Sequence, residues 1–237
     1  MNMDTYLARL GYHGPRAATE PVLRELHRRH LLTVPFENLD IHWNRTIVLD
    51  ETRFIEKIVD ERRGGFCYEL NGAFAALLRA LGFDVQLLSA RPAEAAPEFD
   101  HMALLVDSRW LADVGFGESF LEPLDVRRRD EQHDPAGVFR IEERGSELML
   151  MGEEGKLEFF FTLTPHDLSE FEPMCHYQQT SPESHFTKKR VCSVATEAGR
   201  ITLTDDRLIV REHGVRTETL IAGEEAWRET LRARFGF

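Results

Sequence analysis

The spacing of apolar residues changes near residue 85, and this change limits the folds open to the chain. Before it, apolar side chains recur at helical spacing over residues 20–32, 51–62 and 68–81. From Val85 onward, short runs alternate between apolar and polar residues, as β-strands do. Because a block of helices followed by a block of strands is typical of α+β architectures, we predict that class.

The predicted strands form a central group and a C-terminal group. The central runs indicate a small barrel and lie at residues 85–90, 102–106, 110–116, 139–143, 148–151 and 157–163. Residues 165–182 are mixed and irregular. Further strands are predicted at residues 190–195, 200–203 and 208–212, before a terminal helix at residues 223–235.

Charge and composition restrict the partners. A formal net charge of −12 over 237 residues argues against general nucleic-acid binding. No apolar stretch approaches the roughly 20 residues of a membrane span, and the N-terminus does not resemble a signal peptide. Three cysteines, an odd number, fit a reducing compartment. We expect a cytoplasmic monomer or homodimer that binds neither nucleic acid nor membrane.

Cys67 lies where a helix is predicted to begin, just after Gly64 and Gly65. Unpaired N–H groups and the helix dipole favour a thiolate there, and cysteine pKa values fall from about 8.5 to roughly 3.5–7.5 in such settings. The glycines also permit the close backbone approach that an oxyanion site requires. We interpret Cys67 as a nucleophile; the structural alternative is a small buried hydrophobic residue.

A nucleophilic cysteine needs a base and a group that orients the base, and His101 and Asp113 are the candidates. Both interrupt apolar segments, where a polar group requires a partner. A hairpin centred near Asp107 and Ser108 would place the two directly opposite one another, with Cβ atoms about 4.5–5.5 Å apart. Separately, each residue could equally serve the fold alone.

Other polar residues are interpreted as structural. Glu69 and Asn71 lie in the first turn after Cys67 and are expected to support the site, with Glu69 paired to Arg63. His27 and His30 share a helix face but lack an evident third ligand, so we predict no metal site.

In combination, four segments resemble the arylamine N-acetyltransferase family. They are residues 63–71 (RGGFCYELN), residues 113–117 (DVGFG), residues 34–39 (VPFENL) and residues 181–186 (SPESHF), with His101 opening an apolar strand between the first two. The resemblance implies a helical bundle over residues 1–84, a β-barrel over residues 85–176 and an α/β lid over residues 177–237.

The resemblance also implies a ping-pong reaction. Cys67 would take acetyl from acetyl-CoA as a thioester and pass it to the nitrogen of an arylamine or arylhydrazine, with no permanently bound cofactor. Cys67, His101 and Asp113 would form a papain-like triad. By the same analogy, the backbone N–H of Tyr68 would donate to the oxyanion. The substrate pocket would be lined by Phe36, Phe116 and Phe186, and Ser184 would contact CoA.

Two alternatives remain open at this stage. The same triad attacks amides, so a cysteine hydrolase or an amide-forming enzyme is possible. The other alternative is a relative that uses another acyl thioester, for example one that releases an acyl chain from a carrier protein. It is favoured by Glu94, Glu98 and Asp100 beside the expected CoA entrance, since acidic groups repel CoA phosphates. Glu183 would act in the same way, and Glu118 would place a carboxylate near the acceptor pocket.

Overall fold

The computed structural model describes residues 2–237. Its helices fall into an N-terminal and a C-terminal set. They are α1 Met3–Arg9, α2 Glu20–Thr33, α3 Leu39–His42, α4 Glu51–Ile55, α5 Cys67–Ala80, α6 Glu172–Thr180, α7 His185–Lys188 and α8 Glu224–Phe235. A π-helical turn, Glu56–Asp60, continues α4.

The strands mostly follow α5. They are β1 Phe36–Glu37, β2 Val85–Arg91, β3 His101–Val106, β4 Trp110–Ala112, β5 Leu124–Asp125, β6 Gln132–Asp134, β7 Gly137–Arg144, β8 Glu147–Met151, β9 Leu157–His166, β10 Cys192–Thr196, β11 Gly199–Leu203, β12 Arg207–Glu212 and β13 Val215–Leu220.

Eight antiparallel strands form a sheet in the order β5-β4-β3-β2-β9-β8-β7-β6 that curls into a nearly closed barrel. Its two edge strands are joined through one side chain. The Gln132 amide accepts from the backbone N–H of Asp125 at 2.8 Å and donates to the Asp125 carbonyl at 3.1 Å. The Gln132 side chain thus bridges the two edge strands where no backbone pairing joins them.

The strands β2 and β3 are buried on both faces, which explains their nearly continuous apolar sequence. Leu104 packs into the core shared with the helices, whereas its neighbour Leu105 packs into the barrel core. This alternation places one face of β3 against α5.

A second sheet, in the order β1-β10-β11-β12-β13, joins distant parts of the chain. Phe36 of β1 pairs with Ser193 of β10 and also forms a bridge to Gly65, just before α5. The terminal helix α8 covers this sheet with the buried Trp227. The segment before α5 is therefore linked through β1 to β10.

The α+β class is confirmed, but several local predictions were wrong. The predicted strand at residues 110–116 ends at Ala112, and the segment predicted to be irregular contains α6. Residue 176, the predicted second domain boundary, falls within α6. The division into three domains stays a prediction.

The helix α5 is buried along most of its length, since it packs against α1, α4, β2 and β3. Its 14 residues fall short of the roughly 20 that a membrane span needs. Within residues 2–237, no helix combines the length and apolar character required to cross a membrane.

Candidate active site

Cys67 is the first residue of α5 and lies at one end of a cavity of about 440 Å³. The side chain is only 3% exposed. His101, the first residue of β3, lines the same cavity. The structure therefore brings the predicted nucleophile and the predicted base to one site.

Asp113 lies behind His101 and is fully buried. Its Oδ2 is 2.6 Å from His101 Nε2, a short hydrogen bond that fixes the ring. This bond leaves Nδ1 as the ring nitrogen available for proton exchange.

The two residues meet by a different route from the one predicted. Leu104 pairs with Ala112, so the next position places Asp113 opposite Ala103 rather than opposite His101. Asp113 and His101 are therefore diagonal neighbours on one face of the sheet. The cause is the hairpin turn, where Asp107 and Ser108 both have φ of 51° and the loop has three residues. Because the shift is of two residues, His101 and Asp113 remain on the same face of the sheet. The His101 imidazole spans the longer, diagonal distance to Asp113.

The Asp113 carboxylate is held in the charged state by its neighbours. Its Oδ1 accepts from Asn71 Nδ2 at 2.9 Å and from the backbone N–H of Gly115 at 2.8 Å. Burial acts to raise the pKa of Asp113, but His101 and these hydrogen bonds outweigh burial and lower the pKa below its usual range. A permanently charged carboxylate can orient and stabilise an imidazolium.

The environment of Cys67, in contrast, disfavours the charged form of its thiol, although the residue lies at a helix end. Burial raises the pKa of Cys67 well above its usual range, and the nearby Asp113 charge adds to this, although a hydrogen bond with the backbone of Met102 opposes it. This direction is opposite to the low pKa expected at a helix N-terminus, because desolvation disfavours the charged thiolate. A thiolate on Cys67 therefore requires a cation beside it, and the imidazolium of His101, in the same cavity, can provide that cation.

His27, which the sequence analysis set aside, belongs to the site. Its Nε2 accepts from the backbone N–H of Asp113 at 2.9 Å, so Nδ1 carries the proton and donates to the carbonyl of Leu121 at 2.7 Å. Burial lowers the pKa of His27 to about 4, which keeps the ring neutral. The helical period placed His27 on the buried face, but no local signal identified its partner 86 residues away.

Gly115 is a second residue that the sequence analysis missed. A Cβ at this position would lie 2.8 Å from both Cys67 Cα and Asn71 Nδ2. The loop after Asp113 therefore packs its backbone directly onto the nucleophile, and only glycine leaves the space.

Phenylalanine rings form one side of the cavity, as expected. Phe36, Phe116 and Phe186 all line it, and Phe116 packs edge-on against His101 at a ring-centroid distance of 5.1 Å. Polar lining residues come from β10 and β11 of the second sheet, with Ser193, Arg200 and Thr202. The cavity thus offers an apolar face and a polar face to whatever occupies it.

Ser184, predicted to contact CoA, lies outside the cavity lining. Ser184 is only 3% exposed, and its hydroxyl donates to Gln178 and accepts from the backbone N–H of Phe186 as the N-cap of α7. It does not line the cavity, because these bonds turn it inward. The Tyr68 side chain is also buried, and its hydroxyl donates to the carbonyl of Phe99 at 2.7 Å. The oxyanion role of its backbone N–H stays a prediction.

The two glycines before Cys67 make close contacts with protein rather than with a substrate. A Cβ on Gly64 would lie 1.8 Å from the Pro35 carbonyl oxygen, and one on Gly65 would lie 2.7 Å from Glu69. The close backbone approach that the glycines permit therefore packs residues 64–65 against β1 and the residue before it.

A buried ionic cluster supports the same segment. Lys57 Nζ lies 2.8 Å from Glu69 Oε1 and 2.8 Å from Asp40 Oδ2, and Arg63 pairs with Asp40 and Glu37. The predicted pair of Glu69 with Arg63 was wrong, because Lys57 takes that position. The second oxygen of Glu69 accepts from the backbone N–H of Phe66, which caps α5 at the nucleophile.

Comparisons with known proteins agree with this geometry. A family described as N-acetyltransferase matches residues 20–237. An arylamine N-acetyltransferase of Escherichia coli K12 is 34% identical over 90% of this chain and 80% of its own. The solved arylamine N-acetyltransferase of Salmonella typhimurium superposes with a TM-score of 0.94 at 31% identity, covering 99% of this chain and 90% of that one.

A third relative was solved with its ligand. The arylamine N-acetyltransferase of Mycobacterium marinum in complex with CoA superposes with a TM-score of 0.93 at 28% identity, over 99% of this chain and 92% of that one. Together these findings define the class as an acetyltransferase. The chain belongs to the arylamine N-acetyltransferase family. The predicted helical bundle, β-barrel and α/β segment are those of its solved relatives.

Proposed function

We propose that the protein transfers acetyl from acetyl-CoA to the nitrogen of an arylamine or arylhydrazine through a thioester on Cys67. The observation that carries this proposal is the shared cavity of Cys67 and His101, with His101 bound to Asp113 at 2.6 Å. The family's curated relatives are named for the same activity.

In the first half-reaction, His101 Nδ1 takes the proton of Cys67 as the sulfur attacks the acetyl carbonyl. The C–S bond to CoA breaks, and the departing thiolate receives the proton from the imidazolium. The buried Asp113 carboxylate stabilises that imidazolium without itself becoming protonated. The raised pKa of Cys67 supports this coupling, because a thiolate unaccompanied by a cation is disfavoured in the buried site.

In the second half-reaction, the amine nitrogen attacks the acetyl group on Cys67. His101 accepts the proton that the nitrogen loses, and the Cys67 sulfur leaves and regains a proton. The amide product holds the acetyl group. We assign the backbone N–H of Tyr68 to the carbonyl oxygen in both steps, since N–H groups in the first turn of a helix have no intrahelical acceptor.

The aromatic side of the cavity suits an aromatic acceptor. Phe36, Phe116 and Phe186 present ring faces and edges within about 440 Å³, a size that fits a small aromatic amine. Phe36 and Phe186 also contact each other at a centroid distance of 6.1 Å, whereas Phe116 packs against His101.

The acidic residues that favoured another acyl donor are partly neutralised. Glu94 pairs with Arg144 at 2.6 Å, whereas Asp100 accepts a hydrogen bond from the neutral amide of Gln178, which does not offset its charge. Glu118, expected near the acceptor pocket, pairs with Arg211. Repulsion of CoA phosphates is therefore weaker than the sequence indicated, and acetyl-CoA remains the proposed donor.

Incubation of the purified protein with acetyl-CoA alone, followed by intact-mass measurement, tests the proposal. One added acetyl group is expected, and Cys67→Ala should show none. Asp113→Asn should keep the fold and lower the acetylation rate by orders of magnitude. If Cys67 reacts rapidly with an alkylating agent but never acquires acetyl from acetyl-CoA, the proposed donor is wrong.

The predicted location and assembly belong to the same proposal. Cys67, Cys175 and Cys192 are all free thiols, which fits a cytoplasmic protein. Light scattering would separate the predicted monomer from a homodimer.

A further inference from the structure

Arg200 occupies an unusual position between two cavities. It is a residue of β11 and lines the active-site cavity together with Cys67 and His101. It also lines a second cavity of about 620 Å³ that lies between the barrel and the second sheet. Glu118 and Arg200 are the two residues common to both linings, so they mark the junction.

Within residues 2–237, Arg200 differs from the other long basic side chains of the second cavity, because it forms no ion pair. Arg28 pairs with Glu197, Lys156 with Glu158 and Arg211 with Glu118. Arg200 makes one hydrogen bond to a neutral group, from Nη1 to Ser193 Oγ at 3.1 Å. Most of its five N–H donors therefore remain available to a ligand in the cavities.

The surroundings of Arg200 add positive charge. Arg211 stands directly opposite Arg200 on β12, and like charges in opposed positions destabilise a sheet. Only Glu118 offsets the pair, and it is already engaged by Arg211. Burial lowers the pKa of Arg200 to about 10, but the group stays protonated at neutral pH. An unpaired, partly buried cation is costly to the fold, and a ligand anion would remove that cost.

We propose that Arg200 binds a negatively charged group of a substrate at the junction of the two cavities. The group is a phosphate of the acetyl donor or a carboxylate on the aromatic acceptor, since the planar guanidinium recognises both in the same bidentate manner. Ser193 and Thr202, whose hydroxyls lie 2.7 Å apart beside Arg200, provide further polar contacts on this side of the cavity. This proposal rests on the proposed acetyl transfer.

The test uses Arg200→Gln, Arg200→Lys and a matched control, Arg28→Gln. Arg28 lines the second cavity only and already has a carboxylate partner. Each protein is acetylated by acetyl-CoA and, separately, by 4-nitrophenyl acetate, which has no phosphate. Each acetylated protein is then given 4-aminobenzoate or the uncharged 4-methylaniline, and the four second-order rate constants are compared.

If the anion belongs to the donor, Arg200→Gln lowers the acetyl-CoA rate constant roughly 10- to 100-fold, the range of a hydrogen bond to a charged group, and leaves 4-nitrophenyl acetate unchanged. If it belongs to the acceptor, the same loss appears with 4-aminobenzoate and not with 4-methylaniline. In either case Arg200→Lys retains part of the rate and Arg28→Gln all of it.

Equal loss in all four reactions, or no loss in any, would overturn the assignment of Arg200. Either result leaves the proposed function standing, provided that the unaltered protein is acetylated on Cys67. If the unaltered protein takes acetyl from neither donor, the proposed function itself fails, and with it the proposal for Arg200.

Discussion

The backbone N–H of Asp113 donates a hydrogen bond to Nε2 of His27 at 2.9 Å. Through this bond a neutral histidine on α2 holds the residue that orients His101. His27 is itself fixed by its bond to Leu121 and by stacking on Phe120, with ring planes 10° apart. The position of the proposed triad thus depends on a side chain that never meets the substrate.

His27→Phe should lower kcat by roughly 10- to 100-fold and leave KM for the acceptor unchanged, because a displaced Asp113 no longer aligns His101. The matched control is His30→Phe. His30 is equally buried on the same helix, but its Nε2 bonds to the hydroxyl of Tyr6, away from the site. Similar kcat losses in both variants would show that His27 acts only through general stability.

The same residue predicts a pH dependence of stability. The pKa of His27 is about 4 in the folded protein and near 6.5 in the unfolded chain. Between these values only the unfolded chain binds the proton, so the free energy of unfolding should fall by about 3 kcal/mol as the pH falls from 7 towards 4. Urea titrations should show that the free energy of unfolding falls more steeply over this pH range in the unaltered protein than in His27→Gln. Parallel curves would contradict the prediction.

Alkylation of Cys67 should depend on His101. Because burial raises the pKa of the thiol, reactivity at pH 7 requires proton transfer to the imidazole. His101→Gln should therefore react with iodoacetamide far more slowly at pH 7 and recover only in strongly alkaline solution, where the buried thiol ionises without a partner. A variant that reacts as fast as the unaltered protein at pH 7 would mean that another group lowers the pKa of Cys67.

Gly115→Ala should nearly abolish acetylation of Cys67. The added methyl group would lie 2.8 Å from Cys67 Cα, so either the loop or the first turn of α5 must move. Gly145→Ala is a useful control, since it strains a glycine at φ +63° with no atom within 4 Å of the new carbon. Both variants should lose stability, but only Gly115→Ala should lose the reaction, as intact mass would report.

Lys57→Met should lower the free energy of unfolding by about 3–5 kcal/mol, because it leaves Glu69 and its neighbouring carboxylates short of a buried cation. Arg128→Ala removes the exposed pair with Asp130 and should have a much smaller effect, because water screens that pair. Chemical denaturation of both variants measures the difference. Equal small effects would show that the cluster near α5 contributes little.

Local patterns predicted the parts of the site that are continuous in sequence. Apolar spacing predicted a helix from residue 68 and a strand from residue 102, and the structure begins α5 at Cys67 and β3 at His101, each one residue earlier. The pairing of β3 with β4 did not follow from apolar spacing, because Asp107 and Ser108 adopt positive φ without a glycine to signal it. The bond of His27 to Asp113 joins distant segments, and Phe36–Glu37 is too short a strand to produce a periodic pattern.

The pairing of β1 with β10 also has a consequence for synthesis on the ribosome. Phe36 and Ser193 are separated by more than half of the chain, yet each lines the cavity of Cys67. The nucleophile helix α5 is synthesised well before β10, which supplies this wall of the pocket. Pairing between such distant segments is slow to form, so a nascent chain holds its thiol without a complete pocket at least until β10 has been synthesised. The capacity for acetyl transfer therefore depends on a contact that the early helices cannot make by themselves.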